Sequence, residues 1–294
     1  MTDQNRRQGI ALMLWAVTIF AIQDGFSRHL AESYNVFMVV MVRYWFFAVF
    51  VVLLAARRPE GFFAAIRTRH PILHILRASL LITEICVIVW GYTLIGLINS
   101  HAVFAVCPLL VAALSVPMLG EKVAWRNWVA IAIGMTGVLV ILQPGSGVFT
   151  LASLLPLSAA LMFALYSVLT RLTTRDEPAF VSLFWSGVIG SALISVVGLP
   201  AWQPMIALDW LNMTVYALLA IVANWLLIRC YEVAEAATVQ PFAYLQIVLV
   251  TLIGMVVYGE SLRLAAFAGT VIVVAAGLYT LWHSRPAKTL EPGI

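Results

Sequence analysis

Residues 97–121 read LINSHAVFAVCPLLVAALSVPMLGE, and 139 positions later residues 236–260 read AATVQPFAYLQIVLVTLIGMVVYGE. Each is an apolar run of about 20 residues, the length that crosses a hydrocarbon core about 30 Å thick. Each ends in a Gly-Glu pair, Gly120-Glu121 and Gly259-Glu260. The same offset lays Tyr92 on Tyr231, His101 on Gln240, Cys107 on Gln246 and Ala130 on Gly269. An offset of 143 lays Phe20-Ala21 on Phe163-Ala164, Arg28 on Arg171 and Phe37 on Phe180. The sequence therefore contains one unit twice, over residues 8–142 and 151–283.

Outward from these runs the whole chain has the same character. Of 294 residues, 63% are hydrophobic and 10% charged, with a mean hydropathy of +1.00. Soluble chains carry about 25% charged residues, so lipid is the solvent this composition requires. Apolar runs broken by short polar turns predict an all-α integral membrane protein with ten transmembrane helices, near 8–28, 36–56, 72–94, 97–119, 124–142, 151–171, 180–200, 210–230, 236–258 and 263–283. The connections are short turns such as Gln143-Pro144-Gly145-Ser146-Gly147, apart from a basic linker over 57–70. Five helices per unit is an odd number, so the second unit enters the membrane from the opposite side. The expected arrangement is a 5+5 inverted repeat, the pattern of alternating-access carriers with a midplane site.

Lysine and arginine set the expected orientation. With the N-terminus inside, Arg6, Arg7, Arg57, Arg58, Arg67, Arg69, Lys122, Arg126, Arg171, Arg175, Arg229, Arg285 and Lys288 fall on the inner side, thirteen of the seventeen basic residues. Both termini are then cytoplasmic. Topology thus accounts for the formal net charge of +4, and no nucleic-acid partner is expected. Cys86, Cys107 and Cys230 have no paired spacing, so neither disulfide nor metal site is expected from them. His70 and His74 stand at i, i+4 with Pro71 between them and no third histidine placed to complete a metal site. No GxSxG or Walker A sequence occurs, so neither catalysis nor ATP-driven transport is read. No cofactor is expected, and the sequence gives no oligomeric state.

The pattern of five-plus-five helices, the two Gly-Glu pairs, Pro108 within the fourth run and Pro241-Phe242-Ala243-Tyr244-Leu245-Gln246 in the ninth resembles the drug/metabolite transporter superfamily in its EamA-domain branch. The resemblance covers about residues 8–283. It implies a basket of helices one to four and six to nine around a central cavity, with helices five and ten peripheral. Thr83-Glu84-Ile85-Cys86 is also similar to the third helix of an aromatic amino-acid exporter within that superfamily. Cys107 departs from it where a large aromatic is expected. The function so implied is export of small amphipathic metabolites across the inner membrane, aromatic or large neutral amino acids foremost. Multidrug or organic-amine efflux is the alternative, with a membrane-embedded enzyme or channel further behind.

Charges within a bilayer are costly and mark function by default. Glu84 and Arg43 lie roughly 12 and 10 Å below the same face by the helical rise. Two readings are open: an ion pair tying helix two to helix three, or a cavity-facing group that holds a zwitterionic substrate or a coupling proton. Asp24 stands four residues before Arg28, the spacing of a helical ion pair at an outer gate. Arg77, near the cytoplasmic end, is read as snorkelling. The substrate-binding candidates are Glu84, His101, Phe163, Tyr166, Asn224 and Tyr244. Asp24 and Arg43 are gate or ion-pair candidates, and Pro108 and Pro241 are hinges. Trp15, Trp90, Phe104, Trp185, Trp225 and Phe242 are deep in their runs, serving helix packing or an aromatic cavity wall. The Gly-Glu pairs read structurally: glycine ends one helix in a left-handed conformation, and glutamate opens the next near its positive end.

Overall fold

A computed structural model describes residues 3–121, 125–142 and 151–283. The turn at 143–147 and Lys122, Arg285 and Lys288 lie outside the described residues. All regular structure among those residues is helical, as a chain in hydrocarbon requires, because a helix satisfies its own backbone donors and acceptors. Eight helical stretches are long and apolar enough to cross a membrane, and two shorter apolar helices run over Trp128–Ile141 and Leu264–Ala276.

In chain order, α1 spans Asp3–Ser33 and α2 Val36–Ala56, separated by Tyr34 and Asn35. The Asn35 side chain accepts the Phe37 N–H at 2.9 Å and so starts α2. The basic linker contains one turn, α3 (Phe62–Ala65), entered through Gly61 at φ 86°. Pro71 opens α4 (Pro71–Ile95), where its missing N–H costs nothing. Gly96, at φ 83°, turns the chain back into α5 (Leu97–Phe104), which breaks and resumes as α6 (Cys107–Leu119). The break follows from Pro108: without an N–H it cannot donate to the Phe104 carbonyl. Next come α7 (Trp125–Leu142), α8 (Leu154–Thr173), α9 (Ala179–Gly198) and α10 (Ala207–Val233). The ninth predicted run is α11 (Ala236–Val239), a 3-10 turn at Gln240–Tyr244 around Pro241, and α12 (Leu245–Tyr258); α13 (Leu264–His283) closes the described chain. Its interruption mirrors the α5–α6 break at the 139-residue offset. Gly120 and Gly259 both end their helices left-handed, at φ 68° and 60°, as read from the sequence.

The long helices run alternately up and down, giving a proximal end that includes residues 57–70 and 174–178 and a distal end that includes Asn35, Gly96 and Gly259. Principal packing pairs are α1 with α10 and α12, α2 with α9 and α10, α4 with α8 and α9, and α6 with α8. Helices α7 and α13 pack on each other at close range. A Cβ on Gly269 would lie 2.5 Å from the Gly137 carbonyl oxygen and one on Gly137 2.8 Å from that of Gly269, the small-residue contact that helices use in lipid. The surface is apolar, with Trp15 65% and Val256 82% exposed. A surface of that kind faces acyl chains rather than water.

Charged side chains tie the ends together. At the distal end Glu260 accepts the backbone N–H groups of Leu97 (2.7 Å) and Ile98 (2.8 Å) and pairs with Arg28. Arg28 also lies 4.1 Å above the Tyr258 ring, whose hydroxyl donates to the Gly25 carbonyl at 2.6 Å. One carboxylate thus joins α1, α5 and the end of α12. At the proximal end Glu177, between α8 and α9, accepts from Thr68 Oγ1 (2.8 Å), the Arg69 N–H and His74 Nε2 (2.8 Å). Burial opposes ionisation there, but these donors hold the Glu177 carboxyl below the usual carboxylate range. Arg77 does not snorkel: it is fully buried, donating from Nε to Thr170 Oγ1 at 3.0 Å, with Nη1 3.0 Å from His74 Nδ1. Inward-facing polar partners on α8 outweigh the pull of the interface. Trp185 donates to the Ile66 carbonyl at 3.0 Å, fastening the basic linker to α9.

Candidate substrate cavity

Between the helices lies a cavity of two lobes that share Phe20, His101, Phe104, Phe163 and Gln246. The apolar lobe adds Val17, Pro108, Tyr244 and Ile247. Its shape comes from the helix breaks: both the α5–α6 interruption and the Gln240–Tyr244 turn border it. The polar lobe adds Gln23, Asp24, Arg43, Glu84, Tyr216 and Asn224.

Asp24 belongs to a buried cluster that joins three helices. Its Oδ2 is 3.1 Å from His101 Nε2 on α5 and accepts from Gln246 Nε2 on α12 at 3.0 Å. His101 is stacked on Tyr92 with ring centroids 5.3 Å apart. The expected Asp24–Arg28 pair is not the one formed. Arg28 turns away to Glu32 (Nε to Oε1, 2.8 Å) and Glu260, because the distal helix ends offer it two carboxylates while Asp24 faces the interior.

Arg43 is 2% exposed and Glu84 4%, and both line the polar lobe. Of the two readings open for them, the ion pair is not formed. Arg43 Nη1 donates instead to the Tyr216 hydroxyl at 3.1 Å, with the guanidinium 5.2 Å from the Tyr216 ring and 5.7 Å from that of Tyr44. Arg43 Nε is buried without a partner. Among the described residues no hydrogen bond or ion pair within 4.0 Å reaches the Glu84 carboxylate. Asn224 uses its amide nitrogen on the Ala220 carbonyl at 2.9 Å, and its Oδ1 is buried and unpartnered.

The sequence candidates thus divide. Glu84, His101, Phe163, Asn224 and Tyr244 line the cavity. Tyr166 is fully buried behind Phe163, ring centroids 5.8 Å apart, and 5.2 Å from the Arg77 guanidinium. Pro108 borders the apolar lobe, and Pro241 sits in the 3-10 turn next to it. Of the deep aromatics, Phe104 lines both lobes, whereas Trp15 and Trp90 point outward, 65% and 51% exposed. Sequence reasoning missed Phe20, Gln23 and Tyr216. Phe20 carried a signal in its superposition on Phe163, and Gln23 in its adjacency to Asp24.

An amphipathic, two-lobed cavity inside a bundle of membrane-crossing helices, bordered by helix breaks, defines a multi-pass small-molecule carrier. The chain belongs to the EamA-like transporter family, whose model matches twice, at residues 7–143 and 150–282. A riboflavin transporter of Vibrio cholerae is 28% identical over 96% of this chain and 95% of its own. An S-adenosylmethionine uptake transporter of Rickettsia prowazekii is 22% identical over 96% and 95%, and a riboflavin transporter of Brucella anthropi 25% identical over 82% and 87%. A protein crystal structure superposes with a TM-score of 0.70 at 15% identity, covering 96% of this chain and 99% of that one, a likeness of fold alone. The substrates named for these relatives give no support to amino-acid export or to a particular likeness to an aromatic amino-acid exporter.

Proposed function

We propose that this chain is a secondary carrier that moves a small amphipathic metabolite, bearing a planar aromatic system and a polar tail, across the inner membrane by alternating access. The observation that carries the reading is the two-lobed cavity, with an aromatic wall at one end and ionisable groups at the other. Riboflavin and S-adenosylmethionine, the substrates named for the relatives, share that plan: a fused heterocycle joined to a polar chain. The reading replaces the emphasis on amino acids with heterocyclic metabolites and assigns no intrinsic direction, since a gradient-driven carrier runs either way.

In this reading residues 8–142 and 151–283 are inverted halves of five spans each, with both termini cytoplasmic. Support comes from the packing. Exchanging each helix for its counterpart in the other half turns α1 on α10 into α8 on α4, α1 on α12 into α8 on α6, and α2 on α10 into α9 on α4, and all of these contacts are made. The mirrored breaks at Pro108 and at Pro241 are the hinges, and Phe163, Tyr244 and Phe104 stack the ring, with Tyr166 bracing Phe163 from behind. Counterflow of labelled riboflavin and labelled S-adenosylmethionine in proteoliposomes is the test. Saturable exchange of either supports the carrier. Absence of exchange for both, with the protein folded and inserted, removes the reading.

A further inference from the structure

We infer that the basic linker between α2 and α4 is a binding site for an anionic phospholipid, its exposed arginines taking the phosphate and Phe63 the acyl chains. The inference goes beyond the carrier reading and does not depend on it: it assigns a partner to the proximal surface.

Residues 57–69 read RRPEGFFAAIRTR, with four arginines and one glutamate. The arginines stand at the two ends and the apolar residues between them. Several contacts pin the segment to its neighbours. Trp185 donates to the Ile66 carbonyl at 3.0 Å, Phe62 meets the Phe184 ring edge-on with centroids 6.0 Å apart, and Glu177 accepts from Thr68 Oγ1 and the Arg69 N–H. These contacts also set its level. Trp185 is in the second turn of α9, a helix of 20 residues and so about 30 Å long, the thickness of the hydrocarbon core. The turn Phe62–Ala65 therefore lies beside the first turns of α9, at the boundary of headgroups and acyl chains, rather than out in water.

At that level the linker leaves a ring and three charges unmatched. Phe63 is 83% exposed. Arg57, Arg67 and Arg69 are exposed as well. Among the described residues the one carboxylate within 4.0 Å of a linker guanidinium is Glu60, 3.9 Å from Arg58, and Arg58 also lies 4.1 Å over the Phe180 ring. The neighbouring acids Asp176 and Glu177 are taken by His70 and His74. A phosphodiester accepts guanidinium donors two at a time, and a lipid phosphate is the anion present at this depth. Cations and an aromatic ring side by side are the pattern of an element lying in the interface. One arginine near an anionic leaflet changes affinity about fivefold. A soluble anion would meet the arginines and leave Phe63 bare, whereas a phospholipid meets both.

The test uses the full-length chain in neutral detergent and measures, by native mass spectrometry, the affinity of the first bound phosphatidylglycerol and of the first bound phosphatidylcholine with the same acyl chains. Two arginines on one uncompensated phosphate predict phosphatidylglycerol about thirtyfold tighter. Arg67→Gln should lower that ratio about fivefold, and Arg57→Gln, Arg67→Gln and Arg69→Gln together should bring it within about twofold of unity. Arg7→Gln, which removes an exposed charge of the same end outside the linker, should leave it unchanged. Phe63→Ala should weaken both lipids about tenfold and keep their ratio. Excess inorganic phosphate should not displace the lipid. Should the triple variant fail to fold, Arg67→Gln at its exposed position still decides. A wild-type ratio near one, a ratio that survives loss of the arginines, or an equal loss in Arg7→Gln overturns the inference, and displacement by inorganic phosphate overturns the lipid as occupant. Counterflow of solutes is a separate measurement, so the carrier reading stands or falls apart from this one.

Discussion

Replacing Glu260 with alanine should cost about 3–4 kcal/mol of stability. The carboxylate accepts two backbone N–H groups at 2.7 and 2.8 Å and pairs with Arg28. Its side chain is 13% exposed, so solvent screens it only in part. Hydrogen bonds to charged acceptors contribute about 1.5–3 kcal/mol each, and removing the acceptor also leaves two helix-initiating donors and a guanidinium unmatched. With about 2–4 °C per kcal/mol for a chain of this class, alanine should lower the midpoint by roughly 6–16 °C. Glu260→Gln keeps one acceptor oxygen and loses the charge, so about half that loss is expected. Gly96→Ala attacks the same contact from the other side. Its φ of 83° strains any Cβ, and that Cβ would sit 2.8 Å from Glu260 Oε1. The two substitutions should therefore be less than additive when combined. A thiol-reactive dye reports the midpoint in detergent, since Cys86, Cys107 and Cys230 are free, the last two buried. Should Glu260→Ala melt within about 1 °C of the wild type, the carboxylate is not what holds α1, α5 and α12 together.

Other perturbations probe separate parts of the molecule. Because Glu177 is held below its ordinary value of 4.5, its ionised form stabilises the fold above that pH, and the contribution disappears as pH falls through the lower folded value; melting scans from pH 6 to 3 should show an acid loss that Glu177→Gln lacks. Gly269→Leu forces α7 and α13 apart against backbone atoms 2.5 to 3.0 Å away and should cost about 1–3 kcal/mol, read as a lower midpoint and a broadened gel-filtration peak. Pro108→Ala restores a donor for the Phe104 carbonyl and should slow flux in proteoliposomes while changing ligand binding less than about threefold; equal losses in both would argue against a hinge.

Most of the fold could be read from the sequence because lipid imposes one rule on every span. Eight of the spans followed from apolar length and punctuation, and the left-handed glycines 120 and 259 from their place at the run ends. The interior was legible where it depended on a single residue, such as Glu84 being polar in an apolar helix or Pro108 lacking a donor. It was not legible where partners meet across the fold. Asp24 and Arg28 are ideally spaced in one dimension, yet Asp24 meets His101 and Gln246, 77 and 222 positions away. Glu260 was assigned to the helix it precedes, whereas its oxygens cap α5, 163 and 162 positions back. Trp15 and Trp90 are deep in their helices but face outward, because depth along an axis carries no information about rotation around it.

The interruption between Phe104 and Cys107 also affects how the cavity should be mutated. Where a membrane helix stops and restarts, peptide carbonyls and amides lose their intrahelical mates, and at this break Pro108 leaves the Phe104 carbonyl without its usual donor. Part of the polarity a solute meets there is main chain. A scan that trims every side chain of the wall to a methyl group would leave that share intact, so a mild result from such a scan would speak for the backbone rather than against the site.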